Sequence, residues 1–344
     1  MSAQVVDVRN GDFWTGMAEH RLGSLFSSPP WVEALARTYG FTISASVSGR
    51  HNAVENAILF SHVSDLRGDR VVCLPFSDYC DPLVEGGEAW DELVEPILAL
   101  GLPVTLRCLR HEHALRDHRF AMVGEALWHG VDLTRDEEAL WTGLSGSARQ
   151  NVRKAQRNGV VVREERSLDA VHAFHRMHRH LRKSKYRLLA QPVAFFENLY
   201  EQFAPDDRLT VLLAEVDGTP IAGIFFLEWQ GTLYYKFNAS TDQTLCPNDL
   251  LAWEGIRMGR RRGLSRLDFG LSDIRQPGLV RYKRKYATEE RTITMLRWQP
   301  PGHSDPRGEL ASRTLSRLTH LLTAPEVPDE IAGEAGAELY RFFC

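Results

Sequence analysis

Arg149, Arg153 and Lys154 stand at spacing 0, 4, 5 in SARQNVRKAQRNG (147–159), which puts all three on one face of a helix. Cations on such a face suit phosphate, as in an RNA acceptor stem, and give salt-sensitive affinity without reading sequence. A second basic run holds Arg176, Arg179, Arg182, Lys183, Lys185 and Arg187, and a third is RYKRKY at 281–286. Each also reads as a solvated helix face. Asp268 lies at the C-terminal end of the short expected strand SRLDFG (265–270), where a carboxylate can take a proton from an amine, hold a neighbouring cation or cap the strand end.

His172, His175 and His178 recur at three-residue steps, and His111-Glu112-His113 is compact. Neither set matches H-E-x-x-H, and the first is interleaved with arginines that repel a divalent cation, so no metal is expected. The chain has no G-x-G-x-x-G and no G-x-x-x-x-G-K-[ST], which leaves dinucleotide or ATP binding by those loops without support. It also lacks G-x-S-x-G, so nothing points to a covalent acyl-enzyme.

The elements that must position these residues are alternating helices and strands. In the first region Ser28 is placed to cap a helix starting at Pro29 or Pro30, with Trp31, Leu35 and Tyr39 on one face. Strands are expected over 42–48, 56–63 and 103–109, a helix around 88–100, and a strand entering a loop over VVCLPFSDYCDPLV (71–84). Thr134 and Glu137 have capping-box spacing for a helix over 134–144. In the second region helices are expected over 147–159, 168–185, 192–204, 248–263 and 278–288. Three strands within 209–241 turn at Asp217-Gly218 and Gln230-Gly231, and further strands fall at 160–165, 265–270 and 290–298. Asn248 is the expected cap of the 248–263 helix. The Pro-Gly-rich stretch 299–309 marks a boundary before a helix at 308–323 and an acidic tail.

With 344 residues, 43% hydrophobic and 25% charged, the composition is that of an ordinary globular chain of about two domains. Its apolar runs, such as Ile221 to Leu227, fall far short of the roughly 20 residues that span a bilayer. The opening residues are polar and lack the pattern of a secretory signal. Five cysteines (73, 80, 108, 246 and 344) form no C-x-x-C pair, so a reducing cytoplasm is the expected compartment. The net charge of −4 conceals polarity: residues 1–140 carry −10, 141–300 carry +9 and 301–344 carry −3. A basic middle block suits a polyanionic partner, or an acidic surface of the same chain.

Taken in order, Arg149-x-x-x-Arg153-Lys154-Ala155, Asn158-Gly159, Gly218-x-Pro220-Ile221-Ala222-Gly223 and Tyr234-Tyr235-Lys236-Phe237-Asn238-Ala239-Ser240 carry a resemblance. Pro247-Asn248-x-Leu250-Leu251-x-Trp253, Asp268-Phe269-Gly270 and Gly278-Leu279-x-x-Tyr282-Lys283 complete it over 147–290. The region resembles the GNAT-fold half of the Fem-type peptidoglycan-bridge aminoacyltransferases and their acetyltransferase-like relatives. The resemblance implies an α/β (α+β) fold of tandem GNAT-like acyltransferase domains, with mixed, mostly antiparallel sheets flanked by helices. The domains would be 1–140, completed by a C-terminal helix at 308–344, and 141–300.

The resemblance further implies that Lys283 faces the acyl-transfer centre and stabilises the oxyanion, with Tyr282 beside it and Asp268 as a catalytic partner. Tyr235, Lys236 and Asn238 are implied as substrate contacts; alternation along the strand lets only part of this run face a cleft. Arg187 resembles an arginine that grips the phosphates of a nucleotide-linked precursor, and Arg149, Arg153 and Lys154 would meet RNA. A coenzyme A site needs a glycine-rich loop at a helix N-terminus. The corresponding segment, TDQTLCPND, has no glycine, a proline and two acids. The expected enzyme therefore has no cofactor of its own and moves an aminoacyl group from aminoacyl-tRNA. Its acceptor would be an amine on a UDP-linked or lipid-linked peptidoglycan precursor, or on a small peptide-like metabolite. The alternatives are an acyl-coenzyme A-dependent N-acyltransferase in polysaccharide or lipid biosynthesis, and a non-catalytic GNAT-like module that binds nucleotide or RNA.

Overall fold

A computed structural model describes residues 3–9, 13–17, 20–50 and 53–344; positions 1–2 and 10–12 of the polar opening stretch lie outside it. The chain forms two compact units. The first comprises Met1–Ala126, Thr292–Leu315 and Arg341–Cys344, and the second Leu127–Arg291 and Ser316–Tyr340.

In the first unit β1 (Gln4–Asp7), α1 (Trp14–Met17) and α2 (Pro29–Tyr39) lead into the meander β2 (Ile43–Arg50), β3 (Ala53–Asp65) and β4 (Gly68–Val72). Helix α3 (Gly87–Leu98), β5 (Val104–Cys108) and α4 (Glu112–Arg116) follow. Ser28 caps α2 as expected, its hydroxyl accepting from the Trp31 amide at 3.3 Å, and Trp31, Leu35 and Tyr39 are buried together on one face. Trp90, Leu93, Val94 and Ile97 of α3 close the core over Ile58, Phe60, Val71, Val104 and Leu106. Strand β6 (Ala121–Asp132) begins in this unit and ends in the second.

The second unit continues with α5 (Glu137–Gly143), α6 (Gly146–Arg157), β7 (Val161–Glu165), α7 (Leu168–Leu181) and α8 (Val193–Phe203). The meander β8 (Leu209–Val216), β9 (Thr219–Trp229) and β10 (Thr232–Ser240) precedes α9 (Pro247–Arg261), β11 (Arg266–Asp273), α10 (Pro277–Arg284) and β12 (Glu289–Trp298). Helices α11 (Pro306–Leu322) and α12 (Asp329–Leu339) end the chain. Both predicted hairpins form, with φ positive at Asp217, Gly218, Gln230 and Gly231, the conformation a two-residue primed turn requires.

Strand order is β1-β2-β3-β4-β5-β12 through the first unit and β6-β11-β10-β9-β8-β7 through the second. Each unit contains a parallel pair, β4 with β5 and β10 with β11, beside antiparallel ones. In the second unit α6 and α9 cover one sheet face through Val152, Ala155, Leu251 and Ile256, which meet Ile224, Phe226, Leu233 and Leu267. Phe174 and Phe196 of α7 and α8 cover the other, against Phe225 and Phe237. Helix α9 lies close to the sheet because Gly255 has no side chain: a Cβ there would stand 2.5 Å from Cζ of Phe226.

Three local expectations are corrected. The Thr134–Glu137 capping box does not form; the Thr134 hydroxyl donates to Asp132, and Asp136 caps α5 through the Ala139 amide. The helix expected over 168–185 ends at Leu181 and passes into a wider π turn over Arg182–Tyr186, closed by Arg187 at φ +56°. The acidic tail contains α12, whose first turn holds Asp329 and Glu330, the favourable sign for a helix N-terminus.

Candidate active site

The site is built where β10 and β11 part. They pair in parallel only from Thr232↔Arg266 to Tyr234↔Asp268, although β10 continues to Ser240 and β11 to Asp273. This parting, beyond the carboxyl ends of a parallel pair, is the crevice position at which ligands of open α/β sheets bind. Gly270, at φ +66°, bends β11 just past the separation.

Against β9 the register jumps from Tyr235↔Phe226 to Phe237↔Phe225, leaving Lys236 as the extra residue of a bulge. Strict alternation would put Tyr235 and Phe237 on one face. The bulge instead sends Tyr235 towards Phe226 and Phe269 and Phe237 towards Phe195, Phe196 and His178 on the opposite face. The Tyr235 hydroxyl is buried without a partner at ordinary hydrogen-bond geometry. Burial pushes its ionisation up, with the Tyr282 hydroxyl and the Asn238 side chain close by. Lys236 places its ammonium 5.3 Å from the centre of the Phe237 ring.

Helix α10 carries Lys283 to the bend of β11. Its side chain is buried, the residue being 4% exposed, and Nζ donates to the carbonyls of Leu271 at 2.8 Å and Gly270 at 3.3 Å. Asp268, 2% exposed, accepts from the Gly270 amide at 2.5 Å. The lysine and the aspartate thus brace the same bend from its two ends. His129 lies close enough to feel the Lys283 charge: burial first, then that cation, lower its pKa against the opposing pull of Glu290, which its Nε2 contacts at 2.9 Å.

Tyr282 donates to the Asn248 carbonyl at 3.0 Å and packs edge-on against Tyr286. Asp249, in the first turn of α9, is the hub of this wall. One of its oxygens accepts from Tyr286 at 2.5 Å and Lys285 at 3.0 Å, and the other from Asn151 at 3.2 Å. Burial and the Asp249 charge push the Tyr286 phenol upward, so it stays a donor. Helix α9 begins at Pro247 after Cys246 in the left-handed region, one residue earlier than expected. Asn248 does not cap it; its amide instead approaches the Ser240 hydroxyl at 3.4 Å.

The structure thus gathers Lys283, Asp268, Tyr282, Tyr235 and Asn238 around the β10–β11 crevice. Arg187 turns elsewhere, with Nη2 3.4 Å from the His320 carbonyl. Nearby, Lys183 binds Asp329 at 2.7 Å and the Val327 carbonyl, so part of the basic run braces the chain's own C-terminal segment. On α6, Arg149 reaches the Thr142 carbonyl at 3.3 Å, Lys154 the Thr244 carbonyl at 2.9 Å, and Arg153 stacks over Trp141. The histidines have protein partners: His172 with Glu197, His175 with the Gln191 carbonyl and His178 with the Gln191 side chain. Among the described residues no group of three or more possible metal ligands converges. Tyr286, Asn151 and His129 were not singled out by sequence, and Asp249 only as an acid unfavourable to a diphosphate; the i, i+4 pair Tyr282 and Tyr286 was the available signal for the wall.

Residues 145–284 match the family model described as an acetyltransferase (GNAT) domain. No curated protein matches the chain. Among solved structures, FemX is similar with a TM-score of 0.69 and 14% identity, over 86% of this chain and 97% of that one. L-PGS from Bacillus licheniformis is similar with a TM-score of 0.54 and 17% identity, over 83% and 96%. A tandem GNAT protein from the clavulanic acid biosynthesis pathway is similar with a TM-score of 0.53 and 12% identity, over 88% and 100%. The chain has a Fem-type, tandem-GNAT fold, and no helix among its described residues is long and apolar enough to cross a membrane.

Proposed function

We propose that the second unit catalyses N-acyl transfer from aminoacyl-tRNA to an amine, with Lys283 at the reacting centre. The observation that carries this reading is the buried Lys283 ammonium at the mouth of the β10–β11 crevice, held by two carbonyls. The acceptor nitrogen attacks the ester carbonyl, the carbon–oxygen bond to the ribose breaks, and the amine proton passes to the departing oxygen. A cation about 3 Å from the tetrahedral oxyanion, shielded from water, lowers the barrier by several kcal/mol. Asp268 keeps the bend of β11 in place, and Tyr235, Tyr282, Lys236 and Asn238 hold the acceptor. The acceptor would be a UDP-linked or lipid-linked peptidoglycan precursor or a small peptide-like amine, and charged tRNA makes the cytoplasm the working compartment.

The absence of a cofactor belongs to the same proposal. A diphosphate at the start of α9 would meet Pro247, which has no N–H, and the Asp249 carboxylate. The amides of Thr244 and Cys246 are already engaged, by Asp242 and by the Gln243 carbonyl. Phosphate contacts fall instead to the cations on α6. The test incubates the purified chain with charged tRNA and candidate amines. Product that disappears on RNase treatment and falls at least roughly a hundredfold in Lys283→Met supports the proposal. Acceptor-dependent thiol release from acyl-coenzyme A would replace it with the thioester reaction, and tight ligand binding without turnover would leave a binding module.

A further inference from the structure

We propose that the first unit carries a separate binding site for a phosphorylated sugar or polyol, in the hollow between the β3–β4 hairpin, the start of β5 and the first turns of α11. The hollow has a volume of about 950 Å³, in the range of small-molecule sites. It lies at the opposite end of the β4–β5 pair from the carboxyl ends of those strands, since its walls are Gly68–Arg70 and Gly101–Thr105. It is therefore distinct from the crevice type used in the second unit, and its assignment is independent of acyl transfer.

Four arginines line it: Arg67, Arg70, Arg297 and Arg313. Arg70 is fixed by a two-pronged pair with Asp65, at 2.8 and 2.9 Å, and Arg67 is held by the Cys344 carbonyl. Both bury an Nε–H with no acceptor. Arg297 and Arg313 are exposed, and among the described residues neither has a side-chain partner. The acids of the lining are mostly committed. Asp305 accepts from the Gly308 amide at 2.7 Å and so caps α11, and Asp69 faces His62 at 3.6 Å; with Glu309 they set three carboxylates against four arginines in the lining. Guanidinium forks of this kind match phosphate oxygens two at a time.

The rest of the wall decides what the phosphate is attached to. Thr105, Gln299, Ser304 and Ser312 supply hydroxyl and amide groups, whereas among the described residues Leu102 and Pro103 are the sizeable apolar side chains and no Phe, Tyr or Trp lines it. Such a lining pairs with hydroxyls and offers no trough for an acyl chain, and among the described residues His303 is its one ring against which a base could lie.

The experiment is titration calorimetry with inorganic pyrophosphate, glucose 1-phosphate and ADP, at low and raised ionic strength, on the full chain and on Arg297→Ala/Arg313→Ala. Both replaced residues are exposed, so circular dichroism and Tm should match the parent. We expect pyrophosphate and glucose 1-phosphate to bind and to weaken with salt. The double variant should lose at least roughly tenfold in affinity for both. No binding of either probe, or binding undiminished in the double variant, overturns the site. ADP bound as tightly as glucose 1-phosphate overturns the assignment to a sugar. The assay needs no turnover, so its failure leaves the acyl-transfer proposal untouched, and the reverse holds too.

Discussion

The Asp249 hub makes a quantitative prediction. Its carboxylate accepts from Tyr286 at 2.5 Å, Lys285 at 3.0 Å and Asn151 at 3.2 Å, and joins α9 to α6 and to the segment after α10. A hydrogen bond to a charged acceptor contributes about 1.5–3 kcal/mol net. Tyr286→Phe removes the shortest of the three and leaves the carboxylate two donors, so it should cost about 2 kcal/mol. Asp249→Ala strands three donors, of which Tyr286 is buried and Asn151 and Lys285 half-buried, and should cost about 3–5 kcal/mol; partial exposure of Lys285 favours the lower end. In a double-mutant cycle the two changes should share about 2 kcal/mol of coupling. Urea unfolding followed by tryptophan fluorescence is the assay, because Trp253 lies on α9 and packs on Trp141 with ring centres 4.9 Å apart. A coupling below about 0.5 kcal/mol, or Tyr286→Phe without loss, would show that the contact is not a structural tie.

Other outcomes follow from single contacts. Gly255→Ala gains about 1 kcal/mol of helix propensity but drives a methyl to 2.5 Å from the Phe226 ring. Overpacking of about 1–3 kcal/mol should win, lowering Tm, and a raised Tm would disprove the close approach. Phe196→Ala removes a ring packed among Phe174, Phe225 and Phe237 and should cost about 3–5 kcal/mol in urea unfolding. Burial, with the nearby Arg182 charge, holds His178 down at about 3, and burial with His113 holds His111 at about 4. The unfolded chain, with ordinary histidines near 6.5, takes up these protons first, so stability is complete above that pH and lost as pH falls. Each group should cost about 2 kcal/mol by pH 5; a flat urea midpoint between pH 7 and 5 would contradict both assignments.

Sequence made the second unit legible because its periodicities were local. Asp217-Gly218 and Gln230-Gly231 specify turns by chemistry that needs no tertiary partner, and the order of helices and strands came with them. What sequence hid was set at a distance. The crevice depends on where β10 and β11 separate, which no residue of either strand announces. The reading of Tyr235 rested on the resemblance, and the bulge at Lys236 broke the alternation expected along its strand. Asp249 was visible only as an acid unfavourable to anions, since its donors lie 98 residues before it and 36 and 37 after. Arg187 resembled a phosphate-gripping arginine by its place after the basic run, yet the left-handed turn after the π segment directs it to His320. Helix α12 was passed over as acidic tail because its apolar face is short, and Ala332 and Gly336 are its buried positions.

The one surplus residue in β10 has a genetic consequence. Parity along a strand is a running count, and Lys236 shifts it by one for everything downstream. Removing that codon would be less an edit of one side chain than an inversion of Phe237, Asn238 and Ala239 through the sheet, each exchanging the face under α7 and α8 for the face under α6 and α9 or the reverse. Substitution at 236 preserves the count whatever residue is installed. Folding should therefore accept many identities at this position and refuse deletion, an asymmetry that the stability of single changes and single-codon losses across residues 232–240 would display directly.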